Sequence, residues 1–315
     1  MFDPVKFVDE KVEELKSKID GPAVIACSGG VDSSVATALA ARAVGDMLTA
    51  VYVDTGYMRK GETEKMDQLF TDLGINGRVI DASEEFFTAL EGVVEPEAKR
   101  KIIGERFIRV FERVAKDIHA KYLVQGTIAP DWIESGGELR DTIKSHHNVG
   151  ALPERMDLEL VEPLRDLYKD EVRKVGRHLG IAAAERQPFP GPGLAVRIIG
   201  EPTREAADIV REACAIAEEE IEKAAADGKM ELPWQYFAVL LPLKTVGVHG
   251  DLRVYGYTIA VRAVDSLDGM TAAYIKIPHE VLERISVRIT NTMKDKVNRV
   301  VYDITNKPPG TIEWE

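Results

Sequence analysis

The pattern of hydrophobic and polar positions changes character along the chain. In the first part, short runs of apolar and β-branched residues alternate with segments whose apolar residues recur at helical spacing. The predicted strands are Ala23–Cys27, Leu48–Asp54, Arg78–Asp81 and Tyr122–Gly126. Strands that alternate with helices favour a parallel twisted sheet with helices on both faces. We therefore predict an α/β fold for this part of the chain.

Two helices are predicted most clearly by the same pattern. One is Asp32–Val44, directly after the first strand, and the other is Glu97–Ile118. In the second helix one apolar stripe is predicted. Its members are Ile103, Phe107, Val110, Phe111, Val114 and Ile118. The N-terminal segment has the pattern of a charged amphipathic helix without the apolar centre of a signal peptide, so we expect neither export nor membrane insertion.

The pattern changes at Gln187–Leu194, where three prolines and two glycines fall within eight residues. Such a density predicts a linker or a rigid functional loop. Beyond it we predict strand, helix, strand, strand, helix, strand. In Arg253–Val264, alternate residues are expected to line the buried side of a half-buried strand. These residues are Tyr255, Tyr257, Ile259, Val261 and Ala263. We therefore predict a first domain over 1–188 and a smaller α+β domain over 189–315.

Composition narrows the classes of function. The 315 residues suffice for about two domains. With 41 Lys and Arg against 53 Asp and Glu, the net charge is −12, which argues against a broad nucleic-acid surface but allows a small anionic substrate in a local basic pocket. The two cysteines, Cys27 and Cys214, form no metal-binding or disulfide pattern and are typical of a reducing cytoplasm.

The strongest motif is the sequence SGGVDSS at Ser28–Ser34, after a predicted strand and before a predicted helix. Two glycines permit a tight turn, and the unpaired amides at the start of a helix attract phosphate. The serine hydroxyls offer further donors. Asp32 would repel a bare phosphate and therefore suggests a bridging Mg²⁺. The structural alternative is an ordinary glycine turn with Asp or Ser capping the helix.

Further polar motifs follow the predicted sheet. Gly126–Ser135 contains Asp131 and Glu134, which could face the same site as Asp32 or lie on a surface helix. Thr142–Gly150 carries a lysine and two histidines that are typical of a mobile cationic lid over polyphosphate. An isolated histidine pair is also compatible with a surface or metal-binding role, although a third ligand at a recognisable spacing is missing.

Two further segments, one charged and one rigid, can also be explained without a functional role. Pro163–Arg173 mixes charges at a helix start, which is usually a solvated face. The segment Asn306–Glu315 carries two prolines and a tryptophan, so we expect it to be ordered by a contact rather than to fray. The alternative is that this tail is docked only for packing.

Together these motifs resemble the GMP synthetases of the N-type ATP pyrophosphatase family over nearly the whole chain. The matching stretches are SGGVDSS, KRKIIGERF, GTIAPDWIES, TIKSHHNVGALP, EPLRDLYKDEVR, QPFPGPGLAVR, LLPLKTVGVHGD and KPPGTIEWE. NAD synthetase, the alternative in that family, and the tRNA-thiolating enzymes share the first motif only. A nucleotide-binding sensor without catalysis is the remaining alternative.

The resemblance implies adenylation of xanthosine monophosphate by ATP, release of pyrophosphate, and amination by ammonia. It implies these ATP-binding residues: Ser28, Gly29, Gly30, Val31, Asp32, Ser33, Ser34, Val53 and Gly126. The implied catalytic residues are Asp32, Lys144, His146, His147 and Lys169, with Asp170 and Arg173 in support. The implied substrate-binding residues are Arg100, Asp251, Lys307 and Glu313, and the implied metal ligands are Asp32 and Asp131.

The resemblance also implies partners. Only 27 residues precede the glycine loop, which leaves no room for the glutaminase domain that many GMP synthetases carry. The chain therefore resembles the two-subunit arrangement, in which a separate glutamine amidotransferase supplies the ammonia. The last part of the chain resembles the family's dimerisation domain, so a homodimer is expected.

Overall fold

The computed structural model describes residues 2–134, 158–181, 186–267 and 269–315. The chain divides into two compact units that interleave along the sequence. The first unit contains Met1–Thr55, Gly61–Ala82 and Ile103–Arg186, and the second contains Gly56–Lys60, Ser83–Ile102 and Gln187–Glu315. The division into domains 1–188 and 189–315 stays a prediction, and two short segments from the early chain belong to the second unit.

The strands are numbered in chain order. They are β1 Ala23–Ala26, β2 Leu48–Asp54, β3 Gly77–Asp81, β4 Tyr122–Val124, β5 Glu159–Val161, β6 Gln235–His249, β7 Leu252–Asp265, β8 Ala273–Tyr274 and β9 Val297–Tyr302. The helices are α1 Pro4–Lys18, α2 Val31–Val44, α3 Glu62–Asp72, α4 Ser83–Ala89, α5 Pro96–Asp117, α6 Ala129–Glu134, α7 Lys169–His178, α8 Arg204–Ala226 and α9 His279–Thr292.

The first unit is built on a five-stranded sheet in the order β3-β2-β1-β4-β5, in which all neighbouring strands are parallel. The predicted parallel α/β fold is confirmed. In β1, Ile25 pairs with Ala50 of β2 on one side and with Val124 of β4 on the other, and all three are buried. Buried apolar residues in succession are expected where both faces of a parallel strand are covered.

The strand order reverses direction at β1. From β1 the chain moves to β2 and β3 on one side, and later to β4 and β5 on the other. In open parallel sheets, ligands bind outside the carboxyl ends of the strands at such a reversal. The segments after β1 and β4 therefore mark the expected site.

The stripe predicted for α5 is largely confirmed. Ile103, Val110, Phe111 and Val114 are buried, as an amphipathic helix against a core requires. The two remaining members of the stripe, Phe107 and Ile118, are partly exposed.

The second unit contains the long antiparallel hairpin β6–β7, with β8 antiparallel and β9 parallel to β7. The half-buried alternation predicted for Arg253–Val264 is wrong. Every residue from Thr258 to Val264 is buried, because this part of β7 is paired on both sides and covered on both faces, whereas Tyr255 is 69% exposed. The strand predicted just before α8 is also wrong. In its place lies a 3₁₀ turn, Gly193–Arg197, followed by a single bridge from Ile198 to Leu240.

Candidate active site

The glycine loop connects β1 directly to α2. Gly30 is the N-cap of α2 in an extended conformation, and no side chain makes a capping hydrogen bond there. The alternative in which Asp or Ser caps this helix therefore does not hold. The first amides of α2 keep their partial positive charge unopposed by a cap, which is the arrangement that binds phosphate. Gly29 has φ +78°, a conformation that side-chain-bearing residues rarely adopt.

Two of the loop serines hold its shape. The Ser33 hydroxyl donates to the Gly30 carbonyl across 3.1 Å and accepts from the Ser28 amide across 3.2 Å. The Ser28 and Ser33 hydroxyls are 3.1 Å apart. Ser34 is 1% exposed, whereas Ser28 is exposed. Ser28 is therefore the serine with most access to a ligand.

A buried carboxylate that sequence reasoning missed borders Gly29. Glu62, the first residue of α3, is 5% exposed and accepts two hydrogen bonds from Arg186, at 2.7 and 3.1 Å. A Cβ atom added to Gly29 would lie 2.6 Å from its Oε1. The loop thus has space for glycine only, and no local sequence pattern links Glu62 to Arg186.

The end of β4 meets the start of α2. A Cβ atom at Gly126 would lie 2.9 Å from the carbonyl carbon of Asp32, so glycine permits this approach. Next to Gly126, the side-chain oxygens of Gln125 and Thr127 are buried and have no partner within the described structure. Val53, one of the implied ATP-binding residues, lies near the end of β2 and is 3% exposed, and its role stays a prediction.

Asp32 lies in the first turn of α2. Its Oδ2 accepts a hydrogen bond from Nζ of Lys169 across 2.5 Å, and its Oδ1 is buried with no partner in the described part of the chain. Burial raises the pKa of Asp32, Lys169 opposes that rise, and Asp131 adds to it while Arg173 lowers it. The structure therefore brings together Asp32, Lys169, Asp131 and Arg173.

This arrangement fits a magnesium ion. The described residues include no cluster of three or more His, Cys, Asp or Glu that could hold a metal alone. Mg²⁺ needs no such cluster, since one or two carboxylates together with substrate phosphates suffice. The unpaired Oδ1 of Asp32 is a ligand atom of this kind. Asp131 accepts a hydrogen bond from the Ile128 amide across 2.9 Å, which leaves its other oxygen as the candidate ligand atom.

The remaining predicted catalytic residues separate into two groups. Lys144, His146 and His147 lie outside the described residues. On α7, Asp170 pairs with Lys174 across 3.1 Å on the surface, which agrees with the alternative that this charged segment is a solvated helix face. Arg173 behaves differently, because its Nε is buried and has no hydrogen-bond partner among described residues.

The predicted substrate residues belong to the second unit. Glu313 accepts from Arg197 and from Gln235, and Nζ of Lys307 donates to the Gly269 carbonyl across 2.8 Å. Arg100 donates to the main-chain oxygen of Glu315 across 2.5 Å.

Asp251 lies elsewhere, at the tip of the β6–β7 hairpin. Glu313 accepts a hydrogen bond from Gln235, which is the first residue of β6. Asp251 comes just after His249, which is the last residue of β6. A strand of 15 residues places these positions roughly 40 Å apart. Within one chain, Asp251 therefore does not join the other predicted substrate residues.

A glycine loop with an uncapped helix start, at the reversal point of a parallel sheet and beside an unpaired carboxylate, defines a nucleotide-binding α/β protein. Residues 2–127 match the family described as NAD synthase, and residues 219–314 match the GMP synthase C terminal domain. The chain is 61% identical over 313 residues to a GMP synthase [glutamine-hydrolyzing] subunit of Thermococcus kodakarensis, covering 98% of this chain and 99% of that protein. It is 59% identical to the Methanocaldococcus jannaschii protein of the same name over 319 residues, covering 100% of both. The chain belongs to the family of these GMP synthase subunits.

The comparisons confirm the predicted family and the class of activity, an ATP-using ligase. The NAD synthase match is confined to the part that contains the glycine loop, so NAD synthetase is not the better alternative. A solved NMN synthetase from Francisella tularensis is 15% identical, with a TM-score of 0.48, over 94% of this chain and 97% of that one. Across the described helices, none is long and apolar enough to cross a membrane.

Proposed function

We propose that this chain carries out the ATP-dependent amination of xanthosine monophosphate to GMP. The 2-oxygen of the xanthine ring attacks the α-phosphorus of ATP, and the bond to pyrophosphate breaks. Ammonia then forms a bond to C2, AMP leaves with the oxygen, and a proton is released. Adenylation is needed because a ring carbonyl oxygen is a poor leaving group. Positioning and charge neutralisation supply most of the catalysis in such a reaction.

The observation that carries this proposal is the pairing of an uncapped helix start with the half-satisfied carboxylate of Asp32. The amides of α2 and the hydroxyl of Ser28 are suited to bind the outer phosphates of ATP. Asp32, with Asp131 as second candidate, would hold Mg²⁺, which when bound neutralises the phosphate charges. Lys169 and Arg173 add positive charge at the same place.

We assign the xanthosine monophosphate site to the last residues of the chain together with Arg100. Lys307 provides an ammonium group for the 5′-phosphate, Glu313 an acceptor for the base, and Arg100 a second cation. Glu313 is 15% exposed at its side chain, so a ligand can still reach it.

The proposed assembly is a homodimer. The outer part of the β6–β7 hairpin exposes large apolar side chains, which marks an interaction surface. They are Leu243 at 55%, Val246 at 48%, Val248 at 70%, Leu252 at 73% and Tyr255 at 69%. Asp251 lies at the tip of this surface and, if it binds substrate, serves the site of a second chain.

We assign the source of ammonia to a separate glutamine amidotransferase. The reason is that the relatives are named as one subunit of a glutamine-hydrolyzing enzyme, which implies that another subunit hydrolyses the glutamine. The proposed location is the cytoplasm, since Cys27 and Cys214 are both unpaired and buried.

The test is pyrophosphate and AMP formation by the purified chain with ATP, Mg²⁺ and one candidate substrate at a time. We expect turnover with xanthosine monophosphate and ammonium at high pH, and none with glutamine until a glutamine amidotransferase is added. Equal turnover with nicotinate adenine dinucleotide would contradict the substrate assignment. Sedimentation of the wild-type chain beside Val248→Lys checks the dimer, since a charge on the exposed hairpin should shift the population to monomer.

A further inference from the structure

The proline- and glycine-rich loop Gln187–Leu194 has no role in the chemistry described so far, whereas the C-terminal tail Asn306–Glu315 carries the proposed substrate residues Lys307 and Glu313. Both belong to the second unit. The loop is a defined structure rather than a slack linker. Gly193 has φ +66°, and a Cβ atom there would lie 2.4 Å from the carbonyl oxygen of Tyr57. The same oxygen accepts from the Leu194 amide across 2.7 Å, so the 3₁₀ turn that follows is fixed in place.

Two arginine side chains contact the other side of the loop. Arg59 donates to the carbonyls of Gln187 and Pro188, at 3.3 and 3.2 Å. Its guanidinium lies 4.4 Å from the centre of the Phe189 ring, and Arg197 lies 5.2 Å from the same ring. The loop is therefore rigid up to Arg197, the last residue of the 3₁₀ turn.

Arg197 points from this turn to the tail. It is fully buried, its Nε donates to Oε2 of Glu313 across 3.1 Å, and its Nη2 donates to Oε1 across 2.8 Å. The ring of Phe237 lies 4.1 Å from its guanidinium. Burial alone would lower the pKa of Arg197, but the neighbouring Glu313 carboxylate raises it overall, so the guanidinium stays charged. A planar fork fixes the plane of a carboxylate as well as its position.

The same turn holds the last residue. Lys99 donates to the carbonyls of Ala195 and Ile198, at 3.4 and 2.7 Å, and to the side chain of Glu315. Lys99 is fully buried. Glu313 and Glu315 are thus both anchored at the turn, while Trp314 between them is 38% exposed.

The hydrogen bonds that the Glu313 carboxylate already accepts determine what else it can bind. An ionised carboxylate has about four acceptor positions. Arg197 occupies one on each oxygen, and Gln235 occupies a second one on Oε1 across 2.8 Å. The position left over is on Oε2, with its direction set by the fork. It fits one N–H donor, such as a ring N–H of an oxidised purine.

We propose that Arg197 is a positioning residue, which the Pro/Gly loop holds so that Glu313 presents a single oriented acceptor to the purine ring of the substrate. This inference rests on the proposed function. A structural role alone would hold the whole tail, including Lys307, so its loss would weaken binding of the purine nucleotide even where Glu313 is already changed.

The first experiment compares Arg197→Lys with wild type. We expect KM and Kd for xanthosine monophosphate to rise at least tenfold, because lysine keeps the charge but not the fork, with KM for ATP within twofold. Arg197→Met should raise them further, so that lysine is a partial rescue. The matched control is Arg284→Lys, since Arg284 pairs with Glu220 in the same unit at 2.8 Å. Its values should stay within twofold of wild type.

A double-mutant cycle with Glu313→Gln tests whether Arg197 acts through that residue. We expect the Kd of the double variant Arg197→Lys with Glu313→Gln for xanthosine monophosphate to lie within twofold of the Kd of Glu313→Gln alone. If Arg197 variants do not fold, Gln235→Met replaces them, with an expected threefold or larger rise in KM for the purine nucleotide only. Equal changes in KM for ATP and xanthosine monophosphate, or additive effects in the cycle, would overturn the proposal. If wild type does not consume xanthosine monophosphate at all, the proposed function itself fails.

Discussion

Lys169 donates to Asp32 across 2.5 Å, although the two residues are 137 positions apart in sequence. The contact joins the first turn of α7 to the first turn of α2, at the glycine loop. Lys169 is 49% exposed at its side chain and Asp32 27%, so the pair borders solvent and can be reached by a ligand. Lys169 offsets part of the cost of holding the Asp32 carboxylate away from water.

Lys169→Met should therefore have two effects. We expect kcat/KM for ATP to fall by about 10²–10³, because a preorganised charge at the phosphates is lost. The pKa of Asp32 should rise further, since Lys169 lowers it in the wild type. The ionised carboxylate would then be lost at a higher pH, and the acid limb of the pH profile of kcat/KM should move upward.

The matched control is Lys174→Met on the same helix, where the lysine pairs with Asp170 in solvent. Its pH profile should overlay that of the wild type. Equal profiles for the two variants would show that Lys169 is also only a surface cation.

Asp32→Asn should separate stability from catalysis. Burial raises the pKa of Asp32 in the folded state, so the charged form is disfavoured by folding. That unfavourable contribution is absent at low pH, where the carboxyl is protonated in both states, and grows as pH rises through the folded-state pKa. We expect the variant to be more stable than wild type by about 0.5–2 kcal/mol at pH 7, a common gain when a functional-site strain is removed.

The measurements for Asp32→Asn are unfolding by denaturant at pH 4 and pH 7, together with turnover. The stability gain should shrink at pH 4, and turnover should fall by orders of magnitude. A variant that keeps full turnover would contradict the metal-binding role of Asp32. A wild-type chain that binds ATP without turning over would favour the nucleotide sensor instead.

Gly29→Ala and Gly30→Ala form a matched pair one residue apart. Gly29 has φ +78° and lies against Oε1 of Glu62, which Arg186 holds in place. Gly30 has φ −74°, and its nearest neighbour would be Ser28 Oγ at 3.5 Å, an ordinary contact. We expect Gly29→Ala to cost about 1–3 kcal/mol of stability and Gly30→Ala less than about 1 kcal/mol. Chemical denaturation of both variants measures the difference, and equal costs would contradict the role of Glu62.

The sequence predicts best what is local. Four of the five strands of the first sheet, the glycine loop and α5 follow from short-range periodicity and from residues adjacent in the chain, whereas the short strand β5 was not predicted. The burial of both faces of β7 was not predicted because the C-terminal tail, which comes about 50 residues later in the chain, lies against the face that carries Arg262.

Contacts between distant residues were not predictable in the same way. The anchors of the tail, Lys99, Arg197 and Arg262, are cations whose partners in the tail lie 216, 116 and 50 residues away. Arg262 donates to carbonyls of Thr305, Thr311 and Ile312, so it fixes the tail from the centre of β7. One signal was available, since an arginine inside the apolar run TIAVRAV must be paired if it is buried.

The two cysteines provide a test that separates this chemistry from one that depends on a reactive thiol. Burial raises the pKa of Cys27, more than the hydrogen bonds of Thr37 and neighbouring groups lower it, and burial likewise raises the pKa of Cys214. They are 1% and 3% exposed. A neutral, buried thiol is a poor nucleophile. We therefore expect iodoacetamide to leave turnover unchanged at pH 8 and to label both cysteines only in denaturant. Rapid labelling of Cys27 in the folded protein, with matching loss of activity, would contradict a closed glycine loop and reopen the thiol-dependent alternative.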